Sequence, residues 1–247
     1  MTNTGTFDKI RMLETGYNTA ALNMAIDEAL MENVDEVPIL RIYRWCPAAV
    51  SIGYFQSMKE EVDLEKCREM GVDVVRRLTG GGAVLHEFEL TYSFVTKKYP
   101  QNIMESYRWI CDAIVMSINR LGFDACFVPL NDIVIADKKV SGNAQTRRNG
   151  VLLQHGTLLL NVDVNKMFYV LKVPSEKLRD KLIKDVKERV TSLSETTFED
   201  MASSLRISFA AKFDAKLVAD TLSREELSRA RWLAERKYTS KEWNLIR

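Results

Sequence analysis

Residues that bind transition metals are scarce in this 247-residue sequence. It has two histidines, His86 and His155, far apart, and four cysteines, Cys46, Cys67, Cys111 and Cys126, with no C-x-x-C pair. Metal-ligand spacing of the His/Cys kind is therefore absent. With no stretch of signal-peptide type, the cysteines are expected as free thiols in a reducing cytoplasm. No apolar run approaches the ~20 residues that cross a bilayer, so no membrane segment is expected. Excess charge is lacking too: the formal net charge is +1, which argues against a general nucleic-acid or membrane-surface binder. Linkers rich in Gly, Pro or Ser, repeats and low-complexity tracts are missing, so one domain over residues 1–247 is expected. A chain of this length buries about three quarters of its extended surface and needs neither disulfide nor metal for stability.

What is present reads as alternating helix and strand signals. Residues 1–8 look like a loose polar tail. Leu22, Ile26, Ala29 and Leu30 repeat at helical spacing over 19–32, with Asp27 and Glu28 assigned to other faces. Residues 39–45 and 50–55 are β-rich, with Pro47 marking a turn. Residues 60–70 read as a charged helix capped by Gly71. A strand over 72–78, a glycine loop and a strand over 90–96 follow, then a helix over 104–121. The rest of the middle is β: residues 133–136, a turn at Asp137-Lys138, and a strand from Lys139. Asn149-Gly150 is a strong hairpin signal, leading into 151–160. A helix at 163–171 and a Pro174 break precede a stretch, 172–189, with seven Lys/Arg against four Asp/Glu. That stretch reads as a solvated helix face or a dock for an acidic carrier domain. Two helices around a β piece at 216–218 occupy 194–237. The class expected is α+β: helices packed on a mixed, largely antiparallel sheet.

The chain is organised around Arg76-Arg77-Leu-Thr-Gly80-Gly81-Gly82-Ala83-Val-Leu-His86. Three consecutive glycines let backbone N–H groups approach an anion, and two arginines add charge-assisted donors. The stretch matches neither G-x-G-x-x-G nor the P-loop. It reads as an anion cradle or as a tight turn between strands. Lys138-Lys139 reads as a solvated turn or as a source of one fixed cation, Lys139.

A second stretch joins the first. Arg-Arg-x-Thr-Gly-Gly-Gly-Ala-Val-x-His at 76–86, Leu-Asn-Asp at 130–132, Lys-Val-Ser-Gly-x-Ala at 139–144 and His-Gly-Thr at 155–157 occur in that order. Together they resemble the lipoate–protein ligase and octanoyltransferase family, over about Leu13 to Asn244. The resemblance implies a catalytic domain of the biotin/lipoate protein ligase type. It implies activation of lipoate or octanoate with ATP and Mg²⁺ to an acyl-adenylate, then transfer to a lysine of a lipoyl carrier domain or H-protein-like acceptor. Lys139 matches the family's catalytic lysine. Arg76, Arg77, Gly80, Gly81, Gly82, Ala83, His86, Asn131, Asp132, Val140, Ser141, Gly142, His155, Gly156 and Thr157 match its binding motifs. Asp132 is the candidate Mg²⁺ ligand, and Leu22, Ala25, Ile26 and Tyr43 are candidates for an acyl tunnel.

Departures open rival readings. After the glycines the chain reads His86-Glu87-Phe88-Glu89-Leu90-Thr91-Tyr92, nearer to the octanoyltransferases than to the ligases. Those enzymes use no ATP and form an acyl-cysteine. Cys126 lies near the position of their nucleophile, and a neighbouring cation lowers a thiol's pKa; it also reads as a small buried hydrophobe. Against the transferase, the family's cysteine enzymes usually carry arginine where Gly82 stands. The C-terminal accessory domain of larger ligases is not expected here, and some members work with it as a separate polypeptide. The first expectation is therefore a cytoplasmic ATP-dependent ligase, with a Cys126-dependent transferase second and a non-catalytic lipoate- or carrier-binding protein third.

Overall fold

The computed structural model describes residues 6–173 and 176–247. The tail at 1–5 and the Pro174 break lie outside the described residues. In chain order the elements are β1 (Lys9–Asn18), α1 (Ala20–Asn33), β2 (Ile39–Trp45), β3 (Ala49–Ile52), α2 (Met58–Glu61), α3 (Leu64–Glu69), β4 (Asp73–Arg76), β5 (Val84–His86) and β6 (Glu89–Thr96). Then come α4 (Ile103–Asn119), β7 (Ala125–Val128), β8 (Asp132–Ile135), β9 (Lys138–Arg148) and β10 (Val151–Leu159). They are followed by α5 (Val164–Val170), α6 (Glu176–Arg189), α7 (Phe198–Phe213), β11 (Lys216–Asp220), α8 (Arg224–Leu233) and α9 (Lys241–Asn244).

An eight-stranded sheet runs in the order β11-β1-β2-β6-β10-β9-β8-β7, and a small sheet in the order β4-β3-β5. In the large sheet only β1 pairs parallel with its neighbours; the other pairs are antiparallel. The expected α+β fold with a mixed, largely antiparallel sheet is thus the fold observed. One face of the sheet is covered by α4 and α7, where Phe94, Phe209 and Phe213 meet Ile110 and Ile114. The other is covered by α1, on which α8 packs in turn.

Three local expectations differ. Residues 6–8 are not loose: Phe7 is buried against Phe94, Trp109 and Phe213, and its N–H bonds the Phe213 carbonyl. The charged segment 60–70 forms two short helices, because Asp63 ends one turn and caps the next through the Lys66 N–H. Asp27 is not on a solvent face but 1% exposed, since it lies on the side of α1 turned to the sheet, where Arg41, Tyr43, Ser93 and His155 bond it.

A bulge in β9 places the site. Ile133 pairs with Ser141 and Val134 with Lys139, so Val140 is the extra residue. Val140 and Ser141 are both fully buried, while Lys139 and Gly142 emerge together on the other face. An unbulged strand, with its period of two, would put residues three apart on opposite faces.

Candidate functional site

The face carrying Lys139 and Gly142 opens onto a cavity of about 290 Å³. Its apolar walls include Met24, Tyr43, Trp45, Leu159, Met167, Val186 and Val190. Its polar rim holds Lys139, Asn131, Gly81, Gly82, Ala83 and Thr157. That is a narrow, greasy slot with a few directed polar groups, the usual build of a small-ligand site.

Lys139 Nζ stands 2.7 Å from Asp132 Oδ1. Its backbone is pinned from the side by the segment after α6, where the Thr191 N–H donates to the Lys139 carbonyl at 2.8 Å. A Cβ built on Gly142 would lie 3.0 Å from both Lys139 Nζ and Cε. The missing side chain at 142 is what gives the ammonium its room. Across the cavity the glycine loop is held by Arg77, whose Nη2 donates to the Gly80 carbonyl at 2.7 Å and to the Gly82 carbonyl at 2.8 Å. Burial brings the Arg77 guanidinium down to about 10, so it stays cationic at neutral pH. Gly81 has φ +93° and packs so closely on Gly53 that a Cβ there would sit 2.0 Å from the Gly81 carbonyl oxygen. Among the described residues no protein acceptor takes the N–H groups of Gly80, Gly81, Gly82 or Ala83. Carbonyls turned to a buried cation and N–H groups left unpaired make this loop a donor edge for an anion.

Residues 19–210 match the family model for the lipoyl protein ligase A/B catalytic domain. The chain belongs to this family. It is an enzyme of the group that contains the lipoate–protein ligases and the octanoyltransferases. It is 38% identical over 267 residues to octanoyltransferase LipM of Lysinibacillus sphaericus, covering 94% of this chain and 97% of that protein. It is 39% identical over 268 residues to the enzyme of the same name from Kyrpidia tusciae, with 95% and 97% covered. Among solved structures it is similar to a bi-partite lipoate protein ligase of Thermoplasma acidophilum, at TM-score 0.91, 35% identity and 97% coverage of both chains. A lipoate-protein ligase A bound with ATP superposes at TM-score 0.85 and 32% identity, with 97% and 99% covered.

Within this family fold the motif residues take different parts. Lys139, Gly142, Asn131, Gly81, Gly82, Ala83, Gly156 and Thr157 line one cavity. Asp132 joins them through its ion pair with Lys139. Arg76 does not. Its guanidinium donates to five carbonyls, those of Gly53, Tyr54, Gln56, Trp243 and Asn244, so it ties the segment after β3 to the C-terminal helix α9. Val140 and Ser141 face the α4/α7 core because of the bulge. Gly80 is absent from the cavity wall and contributes through its carbonyl to Arg77. Leu22, Ala25 and Ile26 do not line the slot, whereas Met24 and Tyr43 do. For Mg²⁺, Asp132 is the carboxylate at the ammonium, and among the described residues no three His, Cys, Asp or Glu side chains cluster as a metal site.

His86 and His155 border the cavity, but their ring nitrogens are occupied. His155 lies between Asp27 and Thr79, and burial lowers its pKa. His86 lies between Glu89 and Ser51 and stacks on Trp45 at 4.0 Å. Burial pushes the Asp27 carboxyl up, but the Arg41 charge and the His155 and Ser93 donors outweigh it, and its pKa ends below the ordinary value. Asp27 also accepts from Tyr43. Sequence reading missed this hub. The signal was a carboxylate at helical spacing from Ala20, Met24 and Met31, on the face that the helix buries.

All four thiols are free. Cys67 and Cys111 are buried, and burial pushes them up to about 11 and about 12. Cys46 and Cys126 are exposed, so Cys126 is not a buried hydrophobe. It lies outside the cavity lining, on the edge strand β7. Cys126 pairs with Val134, and Val134 with Lys139. Residues opposite each other in a sheet share a face. The thiol and the ammonium therefore stand in one row, two strand spacings or about 10 Å apart at Cα. No helix of the described residues is long and apolar enough to cross a membrane.

Proposed function

We propose that this enzyme moves an octanoyl group from a carrier thioester to a lysine of a lipoyl carrier domain, with Cys126 as nucleophile. The observation that carries the reading is the row Cys126–Val134–Lys139, which puts an exposed thiol and a fixed ammonium on the face that bears the acyl slot. The names of the octanoyltransferase relatives support it. The acyl chain lies in the slot, where burial contributes about 0.8 kcal/mol per CH₂. The Cys126 thiolate attacks the thioester carbonyl. A carbon–sulfur bond forms, the donor's carbon–sulfur bond breaks, and the donor leaves as a thiol after taking a proton. The acceptor amine then attacks the acyl-cysteine, loses a proton and releases the Cys126 thiol. Lys139 stabilises the oxyanion in both steps; a donor so placed is worth about 3–4 kcal/mol. The basic helix α6, which borders the slot through Val186, faces an acidic acceptor.

The ATP-dependent ligase is the second reading. The unpaired N–H groups of the Gly80–Ala83 loop favour it, because they fit the phosphate of an acyl-adenylate and a side chain at 82 would crowd it. On that reading Asp132 orients the acceptor amine or holds Mg²⁺.

One experiment separates them. Purified protein is incubated with a lipoyl-domain acceptor and either octanoyl carrier protein or lipoate with MgATP, and the acceptor is weighed. Mass gain from the thioester, lost in Cys126→Ser, supports the transferase. Gain only with MgATP, surviving Cys126→Ser, refutes it in favour of the ligase. No gain under either condition, with lipoate still bound, leaves a binder without turnover and refutes both.

A further inference from the structure

Two hydrogen-bond relays of the same composition converge on one guanidinium. In the first, His155 Nδ1 meets Asp27 Oδ2 at 3.1 Å and His155 Nε2 meets Thr79 Oγ1 at 2.7 Å. Thr79 Oγ1 in turn accepts from Arg77 Nε at 3.2 Å. In the second, His86 Nδ1 meets Glu89 Oε1 at 2.6 Å and His86 Nε2 meets Ser51 Oγ at 2.8 Å. Ser51 Oγ accepts from Arg77 Nη1 at 3.1 Å.

With each carboxylate ionised and each imidazole neutral, the bond directions are set. An ionised carboxylate only accepts, so each holds the proton on Nδ1. Nε2 of a neutral imidazole then only accepts, so each hydroxyl donates to its histidine and turns a lone pair to Arg77. The carboxylates are themselves fixed, Asp27 by Arg41 at 2.8 Å and Glu89 by Thr91 at 2.6 Å. Arg77 has no freedom left. One end of its plane is held by Thr79 Oγ1, with the Gly80 carbonyl also accepting from Nε at 3.2 Å, the other by the Ser51 hydroxyl and carbonyl, and Nη2 holds the Gly80 and Gly82 carbonyls.

We infer that Ser51, Thr79, His86 and His155 are positioning residues: the two relays lock the Arg77 plane, and Arg77 thereby fixes the glycine loop with its N–H groups turned out. The inference rests on reading that loop as the donor edge of the acyl site. Each relay also has the connectivity of a hydrolase triad, nucleophile–base–carboxylate. Burial speaks against that role, since Ser51 is 1% and Thr79 0% exposed. The lone pair a nucleophile would use points at a cation.

The test uses ¹⁵N-glycine-labelled full chain without substrate, so it stands whether or not acyl transfer is found. Backbone order parameters of Gly80, Gly81 and Gly82 are measured in wild type, Thr79→Val, Ser51→Ala, the double variant and Thr79→Ser. Wild type and Thr79→Ser are expected near the rigid value of about 0.85, with the double variant below about 0.6. The single variants fall between, and Gly122 and Gly150 stay unchanged as a control for global loosening. A rigid loop in the double variant overturns the proposal. So does a rigid loop in both single variants, should the double not fold. Failure of Thr79→Ser to restore order overturns it as well, and so does covalent labelling of Ser51 or Thr79 by a fluorophosphonate in the native protein.

Discussion

Gly142→Ala isolates the ammonium from the fold. The new methyl lies 3.0 Å from Lys139 Nζ and Cε and 3.9 Å from Asp132 Oδ1, with no backbone atom among its near neighbours. Gly142 has no positive φ, so alanine is compatible with the strand. Restricting the unfolded chain stabilises by about 0.4–1 kcal/mol. Loss of a partly exposed ion pair, Lys139 42% and Asp132 34% exposed at the side chain, costs about 0–1 kcal/mol. The two nearly cancel, so the urea midpoint stays within roughly 1 kcal/mol of wild type. Activity does not cancel. The methyl pushes Nζ out of its place, and misplacement of a catalytic group by about 1 Å costs around 100-fold. The assay is the initial rate of acceptor acylation, read by mass, beside a urea titration. Full rate with unchanged stability would show that Lys139 Nζ need not occupy this position, and the assignment of its role would fall.

Arg76→Met leaves five carbonyls without their donor. Breaking a buried charged network costs roughly 3–5 kcal/mol, which at this chain length lowers Tm by about 10 °C; a shift under about 3 °C would remove its structural role. For His155, burial lowers the pKa, so the unfolded chain takes up a proton that the folded one refuses. Its contribution to stability is therefore whole above the ordinary imidazole value of about 6.5 and falls as pH drops below it, by at most about 1.4 kcal/mol per unit. Urea midpoints at pH 7.5 and 5.5 should fall more steeply for wild type than for His155→Gln, and equal slopes would contradict the assignment. Iodoacetamide on the native protein should modify Cys46 and Cys126 and spare Cys67 and Cys111; intact mass shows two additions before unfolding and four after. Rapid labelling of all four would refute the burial argument.

Local signals were legible where local physics sets structure. Asn149 and Gly150, at φ +51° and +76°, form the hairpin their residue types predict. The long helices followed from spacing and caps. Strand β1 went unread because it lies between two parallel neighbours and buries Ile10, Met12 and Leu13 without a clean alternation, and its polar end, Glu14-Thr15-Gly16, hides a bulge. The three-residue strand β5 is too short to show a period. Its pairing with β3 makes it a strand.

Local pattern was enough for the classes of element, the family and the residues of the proposed site: the glycine triplet, the lysine of 139–144 and the thiol at 126. Only the tertiary structure decided which side each residue faces. The bulge that turns Lys139 to the slot and Val140-Ser141 to the core depends on pairing with β8. Adjacent arginines part ways because strand β4 sends Arg76 to the C-terminal helix and leaves Arg77 beneath the loop. Asp27 became a buried hub because β2, β6 and β10 bring Arg41, Tyr43, Ser93 and His155 to the face of α1 that it occupies. Facing is set by long-range partners, and a stretch of sequence carries no record of what will lie across from it.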